Sequence, residues 1–141
     1  MKFNYKIRQL SILLTLFASV AACSSKEAPI QETLVGNWQV ISIQDKAILS
    51  KSTVKLTFSS ENRLTGSASC NNLSSSFQSK NSALTIGPAA TTRKMCLPAL
   101  MDQESSLLRA LSKVKRYQLI NGELSLFNQQ GVIQLSAKKI K

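Results

Sequence analysis

The fold class of this chain is decided by the stretch Tyr117-Gln118-Leu119-Ile120-Asn121-Gly122-Glu123-Leu124-Ser125-Leu126-Phe127. Two runs rich in apolar residues flank the dipeptide Asn121-Gly122. Because both residues of the dipeptide tolerate positive φ, Asn-Gly in such a setting is the strongest short signal for a β-hairpin. The stretch therefore predicts two antiparallel strands joined by a two-residue turn.

Further strands are predicted around this hairpin. Residues 54–58 alternate apolar and polar side chains, which is the period-2 pattern of a half-buried strand. Residues 61–63 are turn-like, and residues 64–69 would return beside the first arm. The serine-rich stretch containing Leu73 and Phe77 predicts only a short or irregular strand. The remaining predicted strands are 34–43, 83–86 and 132–137.

One helix is predicted between these strands, at about 99–114. Leucines recur there at helical spacing, and Pro98 stands where a proline can begin a helix. Acidic residues lie early and basic residues late, as the helix dipole favours. The residues that carry this pattern are Leu100, Asp102, Glu104, Leu107, Leu108, Arg109, Leu111, Lys113, Val114 and Lys115. The fold class is therefore α+β: an antiparallel meander, one helix, and more meander.

The N-terminus predicts an export signal at residues 1–22. A short basic segment precedes the apolar run 10–22, which is too short for a membrane span of roughly 20 residues. The exit Val20-Ala21-Ala22-Cys23 resembles the lipobox of bacterial lipoproteins, in which the cysteine thiol accepts a diacylglyceryl group. We expect cleavage before Cys23, a lipidated tether at 23–32 and one domain at 33–141.

The residue after the lipidated cysteine bears on location. Ser24 stands where an aspartate would resemble an inner-membrane retention signal of enterobacterial-type lipoproteins. Its presence favours the outer membrane, with the domain facing the periplasm. The expected partner is then the membrane itself, through the lipid anchor, and export removes nucleic acid from the possible partners.

The charge of the chain is +11, from 18 basic and 7 acidic residues. Removal of the predicted leader, which contains three cations and no acidic residue, leaves +8. This charge suits either attraction to anionic lipid or lipopolysaccharide, or a solvated basic surface without a specific partner. The sequence does not predict an oligomeric state.

The chain has three cysteines, of which one is expected to carry lipid and two are left for a possible disulfide. If Cys23 carries lipid, Cys70 and Cys96 remain in a compartment that permits disulfides. A bridge between them would close a loop worth about 3.5 kcal/mol in the chain-entropy model. Two separate buried thiols and a redox pair remain alternatives. With no histidine and no Cys-x-x-Cys, the sequence predicts no metal site and no cofactor.

The composition argues against an enzyme. Without histidine, neither a Ser-His-Asp nor a Cys-His arrangement can form. Residues 112–115 and 136–139 both fit Ser-x-x-Lys, but the companion motifs of a penicillin-binding site are missing. No glycine-rich phosphate loop is present, and nothing supports a catalytic carboxylate pair. We therefore expect a protein with no catalytic residues.

Three motifs carry a family resemblance. Gly36-Asn37-Trp38, then residues 64–71 (Leu-Thr-Gly-Ser-Ala-Ser-Cys-Asn), then residues 91–96 (Thr-Thr-Arg-Lys-Met-Cys) resemble the signatures of the META-domain (HslJ-like) family. The similarity extends over about 33–137. Two positions depart from the family pattern. Ser69 stands where the family usually has glycine, and Ser75 or Ser76 replaces a glycine before Phe77.

The resemblance implies an antiparallel sheet curled into a conical half-barrel that one helix closes. It also implies structural roles for three motif residues: Trp38 in the core, Gly66 at a bend or bulge, and Asn71 hydrogen-bonding a tight turn. It implies no reaction, because the family is associated with envelope integrity and stress tolerance, including heat shock. We expect a groove at the open end of the curled sheet to bind an apolar ligand or an envelope protein.

Two other classes of small envelope protein are alternatives. A lysozyme-inhibitor-like lipoprotein would also be β-rich and disulfide-bonded. The positive charge of this chain argues against a lysozyme inhibitor, because lysozymes are usually basic and would be repelled by a basic protein. A secretion pilot-like lipoprotein would share the anchor and the half-barrel shape.

Overall fold

The computed structural model describes residues 33–141, which form ten strands and one helix. The strands are β1 (Gly36–Ile43), β2 (Lys46–Ala47), β3 (Val54–Phe58), β4 (Arg63–Ala68), β5 (Asn72–Lys80), β6 (Ala83–Ile86), β7 (Ala90–Thr91), β8 (Arg116–Ile120), β9 (Glu123–Phe127) and β10 (Ile133–Ile140). The helix α1 spans Pro98–Ser112. The predicted α+β class with a single closing helix is confirmed.

The sheet closes into an antiparallel barrel. Eight strands follow one another around the ring in the order β1, β3, β4, β5, β6, β8, β9 and β10, and β10 pairs back with β1. β2 extends β1 as a short hairpin, and β7 pairs with β5 beyond β6. The resemblance implied a half-barrel; in this chain the ring is complete. Its shortest join is between β6 and β8, where the register has one pair, Ala83 with Arg116.

Two irregularities in the ladders accompany closure. The register of β1 against β10 shifts between Val40 and Ser42, and that of β10 against β9 shifts between Ile133 and Leu135. Such bulges bend a strand and increase its local twist. Both lie on the strands that complete the ring, where a flat ladder could not curve enough to meet β1.

Alternating apolar side chains fill the barrel. The residues of β3 alternate buried and more exposed as the period-2 pattern predicts. The other long strands of the ring also contribute buried side chains, and β8 contributes the partly buried Tyr117 and Leu119. α1 covers one end of the barrel with a stripe that includes Leu107, Ala110 and Leu111, all of them buried. Side chains from the sheet and the helix form one continuous core.

The hairpin that fixed the fold class is present. β8 and β9 pair from Arg116 with Phe127 to Ile120 with Glu123. Asn121 and Gly122 both have positive φ, 51° and 76°. Both central residues of a type I′ turn have positive φ, so the Asn-Gly signal was read correctly.

The prediction for the serine-rich stretch was wrong. β5 is a regular nine-residue strand that pairs with β4 on one side and with β6 and β7 on the other. Leu73 and Phe77 point into the core. Ser75, also on the inward side, is only half buried, and its hydroxyl donates to the Gly87 carbonyl oxygen at 2.8 Å. Pairing on both edges stabilises a strand whose own sequence pattern is weak.

The helix is slightly shorter than predicted at its C-terminus. It begins at Pro98 and ends at Ser112. Lys113 N–H donates to the Ala110 carbonyl oxygen and Val114 N–H to that of Leu111, which closes the last turn. The first turn contains no acidic residue, so the expected dipole pattern is absent at that end. Arg109 does lie in the last turn, as the dipole favours.

The barrel has two distinguishable ends. At the N-terminal end, Gly36 pairs with Phe58, which also pairs with Leu64 near the start of β4. At the helix end, the turn after β4 contacts α1. The six residues of β4 separate the two ends by roughly 20 Å, at about 3.3 Å per residue.

Candidate functional site

Asn71 is the centre of a buried hydrogen-bond network at the helix end. Its side chain lies in the turn between β4 and β5, and its backbone oxygen accepts from Ala68 N–H at 2.8 Å. The side-chain oxygen accepts from Thr92 Oγ1 and from Lys94 N–H, both at 2.8 Å. The amide nitrogen lies 3.4 Å from the Lys94 carbonyl oxygen, to which it donates. Asn71 therefore ties the turn to the loop that precedes α1, which is more than the local role expected of it.

Glu104 completes this network from the helix. The Asn71 amide donates to its two carboxyl oxygens at 3.0 and 3.3 Å, and the Glu104 residue is only 9% exposed. Within residues 33–141 the one ion pair closer than 4.0 Å joins Lys138 and Glu123, so no cation accompanies this carboxyl group. A buried carboxyl group depends on the hydrogen bonds it receives. Here Asn71 provides them.

The neighbouring Gln103 anchors α1 to two further segments. Its side-chain oxygen accepts from Leu49 N–H at 2.8 Å. Its amide nitrogen donates to Ser52 Oγ at 2.9 Å and to Ser69 Oγ at 3.3 Å. The helix is thus hydrogen-bonded to the chain after β2 and to the turn after β4, in addition to its apolar packing.

A disulfide joins Cys70 to Cys96, with Cα atoms 6.2 Å apart. Cys70 adjoins Asn71 in the turn, and Cys96 lies in the loop before α1. The covalent bond and the Asn71 hydrogen bonds therefore join the same two segments. After reduction of the disulfide, hydrogen bonds from Asn71 and Asn72 would still join this loop to the turn.

The other two motif residues serve the barrel. Trp38 is fully buried, and its indole N–H donates to the Leu34 carbonyl oxygen at 2.8 Å. At Gly66 the ladder between β3 and β4 is in register, so no bulge lies there. A Cβ atom at this position would overlap the Lys55 carbonyl oxygen. The glycine is needed because the two backbones approach closely.

An open groove lies on the outer side of α1, between the helix and the chain from Ile43 to Leu49. Its volume is about 300 Å³. Aliphatic side chains and polar groups both line it: Ile43, Gln44, Lys46, Ala47, Ile48, Leu49, Ala99, Asp102, Gln103, Ser106 and Arg109. This position differs from the expected one, which was at the open end of a curled sheet. The barrel is closed and filled, and the groove lies beside the helix.

Three neighbouring residues of α1 that line the groove are hydrogen-bonded to one another. Ser106 Oγ donates to the Asp102 carbonyl oxygen at 2.9 Å and accepts from Arg109 Nη2 at 3.0 Å. Ser106 Oγ is therefore held between a backbone carbonyl oxygen and a guanidinium group.

Comparison of the sequence with family models gives a match to the META domain over residues 31–140. The chain belongs to the META domain family. No curated protein matches the sequence significantly. The family resemblance of the three motifs is confirmed, and the matched region covers every strand and the helix of this META domain.

Solved structures share the META domain fold. An NMR structure of a protein from Burkholderia xenovorans is 22% identical, with a TM-score of 0.62 over 75% of this chain and 82% of that one. Another NMR structure is 24% identical, with a TM-score of 0.59 over 74% and 88% of the two chains. A crystal structure of a DUF4847 family protein from Bacteroides vulgatus is 13% identical, with a TM-score of 0.57 over 75% and 93%. At these identities the likeness concerns the fold alone.

One departure from the family pattern has a visible backbone consequence in this META domain. Ser69, which replaces the usual glycine, has φ of 82°. That value lies in the left-handed region, where a residue with a Cβ atom is strained. A glycine at position 69 would adopt this conformation without strain.

Several sequence predictions fall outside the described part of the META-domain protein. Cys23, the leader 1–22 and the tether 23–32 all precede Thr33, the first described residue. Within residues 33–141, no group of three or more histidine, cysteine or acidic side chains could hold a metal ion. In the same residues, no helix has the length and apolar character needed to cross a bilayer.

Sequence reasoning missed Glu104 as a site residue. From sequence, Glu104 was interpreted only as an acidic residue that interacts favourably with the helix dipole. Its spacing from Leu100, Leu107 and Leu111 nevertheless places it on the apolar face of α1. A charged residue within an apolar stripe was the available signal. The groove had no comparable signal, because its two walls are formed by segments about 50 residues apart in sequence.

Proposed function

We propose that this protein is a lipid-anchored META-domain protein of the outer membrane, facing the periplasm, that binds an apolar ligand or a segment of an envelope protein and catalyses no reaction. The observation that carries the binding role is the groove beside α1. Its lining includes aliphatic side chains and charged side chains of both signs. A concave apolar site with a few polar groups is the usual form of a binding site.

The size of the groove limits what it can hold. Binding pockets for small molecules commonly measure about 300–1,000 Å³, and this groove is at the small end at about 300 Å³. A section of an acyl chain or two to three apolar side chains of a peptide would fit. Lys46 and Arg109, which also line the groove, suit a carboxylate or phosphate group on such a ligand.

The groove can be tested by filling it. Ala99 lines the groove and is exposed on α1, so Ala99→Trp should occlude it, whereas Ser105→Trp places the same side chain on the exposed part of the helix. Binding of the apolar dye 1-N-phenylnaphthylamine to the purified mature chain should weaken at least tenfold in Ala99→Trp and change less than twofold in Ser105→Trp. Equal dye binding by the two variants would remove the groove from the proposal.

The nature of the natural ligand requires a separate measurement. Native mass spectrometry of the mature chain, purified from its own envelope, should find a bound lipid or peptide in the parent protein and in Ser105→Trp. The bound species should be lost from Ala99→Trp. A robust hydrolase activity that a single side-chain change abolishes, with the fold intact, would overturn the non-enzymatic reading.

The anchor rests on the sequence at Val20–Cys23. Intact-mass analysis of the membrane fraction should show loss of residues 1–22 and added acyl mass. Cys23→Ala should remain unprocessed or become soluble. Deletion of the protein should increase sensitivity to envelope stress, and a lipidated copy should restore resistance. Unchanged acylation in Cys23→Ala would refute the proposed anchor and leave the groove proposal standing.

A further inference from the structure

The loop before α1, residues 92–97, carries the most exposed large apolar side chains among the described residues. Met95 is 95% exposed and Leu97 is 71% exposed, and Met101 on the first turns of α1 is 43% exposed. Single exposed apolar residues are common on protein surfaces. Three exposed apolar residues within seven positions are less common. We call residues 92–97 the display loop.

The backbone of the display loop is fixed on both sides of Met95. Before it, Lys94 uses its N–H and its carbonyl oxygen to bind the Asn71 side chain, and Thr92 N–H donates to the Asn72 carbonyl oxygen at 3.0 Å. After it, Cys96 is covalently bound to Cys70. Met95 therefore projects fully into solvent from a loop that is held at both neighbouring residues.

Such a combination favours recognition of another protein. A rigid backbone lowers the conformational entropy lost on binding, so an exposed apolar side chain on it can act as an anchor in a partner's pocket. The fixation is built from buried groups, since Asn71 divides its hydrogen bonds between the loop and Glu104 of α1. The exposed side chain of Met95 takes no part in that packing.

Charge on the loop indicates the chemistry of the partner. Arg93 and Lys94 are exposed and adjoin Met95. Across residues 33–141, the one ion pair within 4.0 Å is between Lys138 and Glu123, so neither loop cation has an acidic neighbour at that distance. A complementary surface would place acidic side chains around an apolar socket, which would also speed encounter between the two proteins.

The display loop lies at one end of the barrel. It is bound to the turn after β4, at the helix end. Gly36, near the first described residue, pairs with Phe58 at the opposite end.

We propose that the display loop, with Met101, is a docking surface for a second protein that offers an apolar socket with an acidic rim. Met95 and Leu97 would enter the socket, and Arg93 and Lys94 would pair with the rim. This surface is separate from the groove, which is lined by other residues of α1 and by the chain from Ile43 to Leu49. The proposal therefore holds or fails independently of what the groove binds.

Site-specific photo-crosslinking of the full chain in living cells tests this proposal. A benzophenone amino acid placed at Met95 or Leu97 should form one discrete adduct with a protein. The same group at Ile120, which is 54% exposed at the β8–β9 hairpin, should form none. The double change Arg93→Glu and Lys94→Glu should reduce the adduct at position 95 at least tenfold. The matched double change Lys55→Glu and Lys80→Glu, at two exposed lysines outside the loop, should leave it within twofold.

Three results would overturn the proposal. One is the lack of an adduct at position 95, and another is an adduct of equal yield at Ile120. The third is binding to vesicles of phosphatidylcholine and phosphatidylglycerol, at about 3:1, that Met95→Ala abolishes. That result, measured with the unacylated Cys23→Ser chain, would make the loop a membrane-inserting element instead. Because Arg93 and Lys94 are exposed, the double variant should unfold at the same temperature as the parent protein. An unchanged Tm would show that a lost adduct does not result from unfolding.

Discussion

Replacing Ser69 by glycine should stabilise the domain, although it removes a hydrogen-bonding side chain. Ser69 has φ of 82°, a left-handed conformation that crowds its Cβ atom against the backbone. Glycine has no Cβ atom and adopts this region without strain. The position lies between Ala68, the last residue of β4, and Cys70 of the disulfide, so the turn has little freedom to relax.

The expected gain follows from three contributions. Relief of the left-handed strain is worth about 1–2 kcal/mol. The greater freedom of glycine in the unfolded chain costs about 0.4–1 kcal/mol. The Ser69 hydroxyl lies 3.3 Å from Gln103 Nε2, a long contact, and Gln103 keeps its shorter bond to Ser52 at 2.9 Å. The net stabilisation should be about 0.5–1 kcal/mol, which raises the Tm of a domain of this size by roughly 2–5 °C.

Chemical denaturation of the mature chain with the disulfide intact measures this difference. Ser74→Gly is the matched control, because Ser74 is an exposed residue within β5 and has no left-handed φ. Glycine there should destabilise by about 0.5–1 kcal/mol. If Ser69→Gly unfolds as easily as Ser74→Gly, the positive φ of Ser69 does not strain the turn by the expected amount.

Three further substitutions test the packing of the domain. Gly66→Ala should destabilise by about 3 kcal/mol, because the added methyl group meets the Lys55 carbonyl oxygen and neither backbone can move freely. Asn71→Ala should cost about 3 kcal/mol, since it leaves the buried Glu104 carboxyl group without its donor. Leu111→Ala should cost about 2–5 kcal/mol through lost burial and the cavity that remains. Urea denaturation monitored by Trp38 fluorescence measures all three.

Exposed neighbours provide the controls for these variants. Thr65→Ala and Asn72→Ala change exposed side chains beside Gly66 and Asn71, and Ile120→Ala shortens an exposed one. Each should alter stability by less than about 0.5 kcal/mol. An unchanged midpoint for Leu111→Ala would contradict the packing of α1 on the barrel. A cost for Asn72→Ala equal to that for Asn71→Ala would contradict a specific network.

The parts of the fold that sequence predicted well depend on local chemistry. Asn121-Gly122 specifies its turn through the φ values its residues tolerate, and Leu107 and Leu111 mark the buried face of α1 by their spacing. β5 was underestimated because its order comes from the strands on either side of it. Closure of the ring was likewise beyond local reading, since β1 and β10 lie at opposite ends of the domain sequence.

The candidate site shows the same division. The motif residues Cys70, Cys96 and Asn71 could be named from sequence, but their joint action on one loop could not. That action needs Glu104, a residue on a helix more than 30 positions from Asn71, and its spacing was visible only as an exception within an apolar stripe. The groove depends on how the β1–β2 hairpin leans on α1, which no local pattern encodes.

The pairing of β10 with both β9 and β1 has a consequence for how the protein is made. A chain that emerges N-terminus first, from a ribosome or a translocation pore, contains β1 long before its partner β10 exists. Until then the edge of β1 that faces β10 stays open to pairing with other chains. Joining Asn37 to Ile140 also closes nearly the whole domain into a loop, which makes the step slow for topological reasons. Pairing of the eight-residue strand β10 with β1 therefore completes the barrel last. A chain that ends before Ile133 would keep an unpaired edge and remain a substrate for chaperones and proteases.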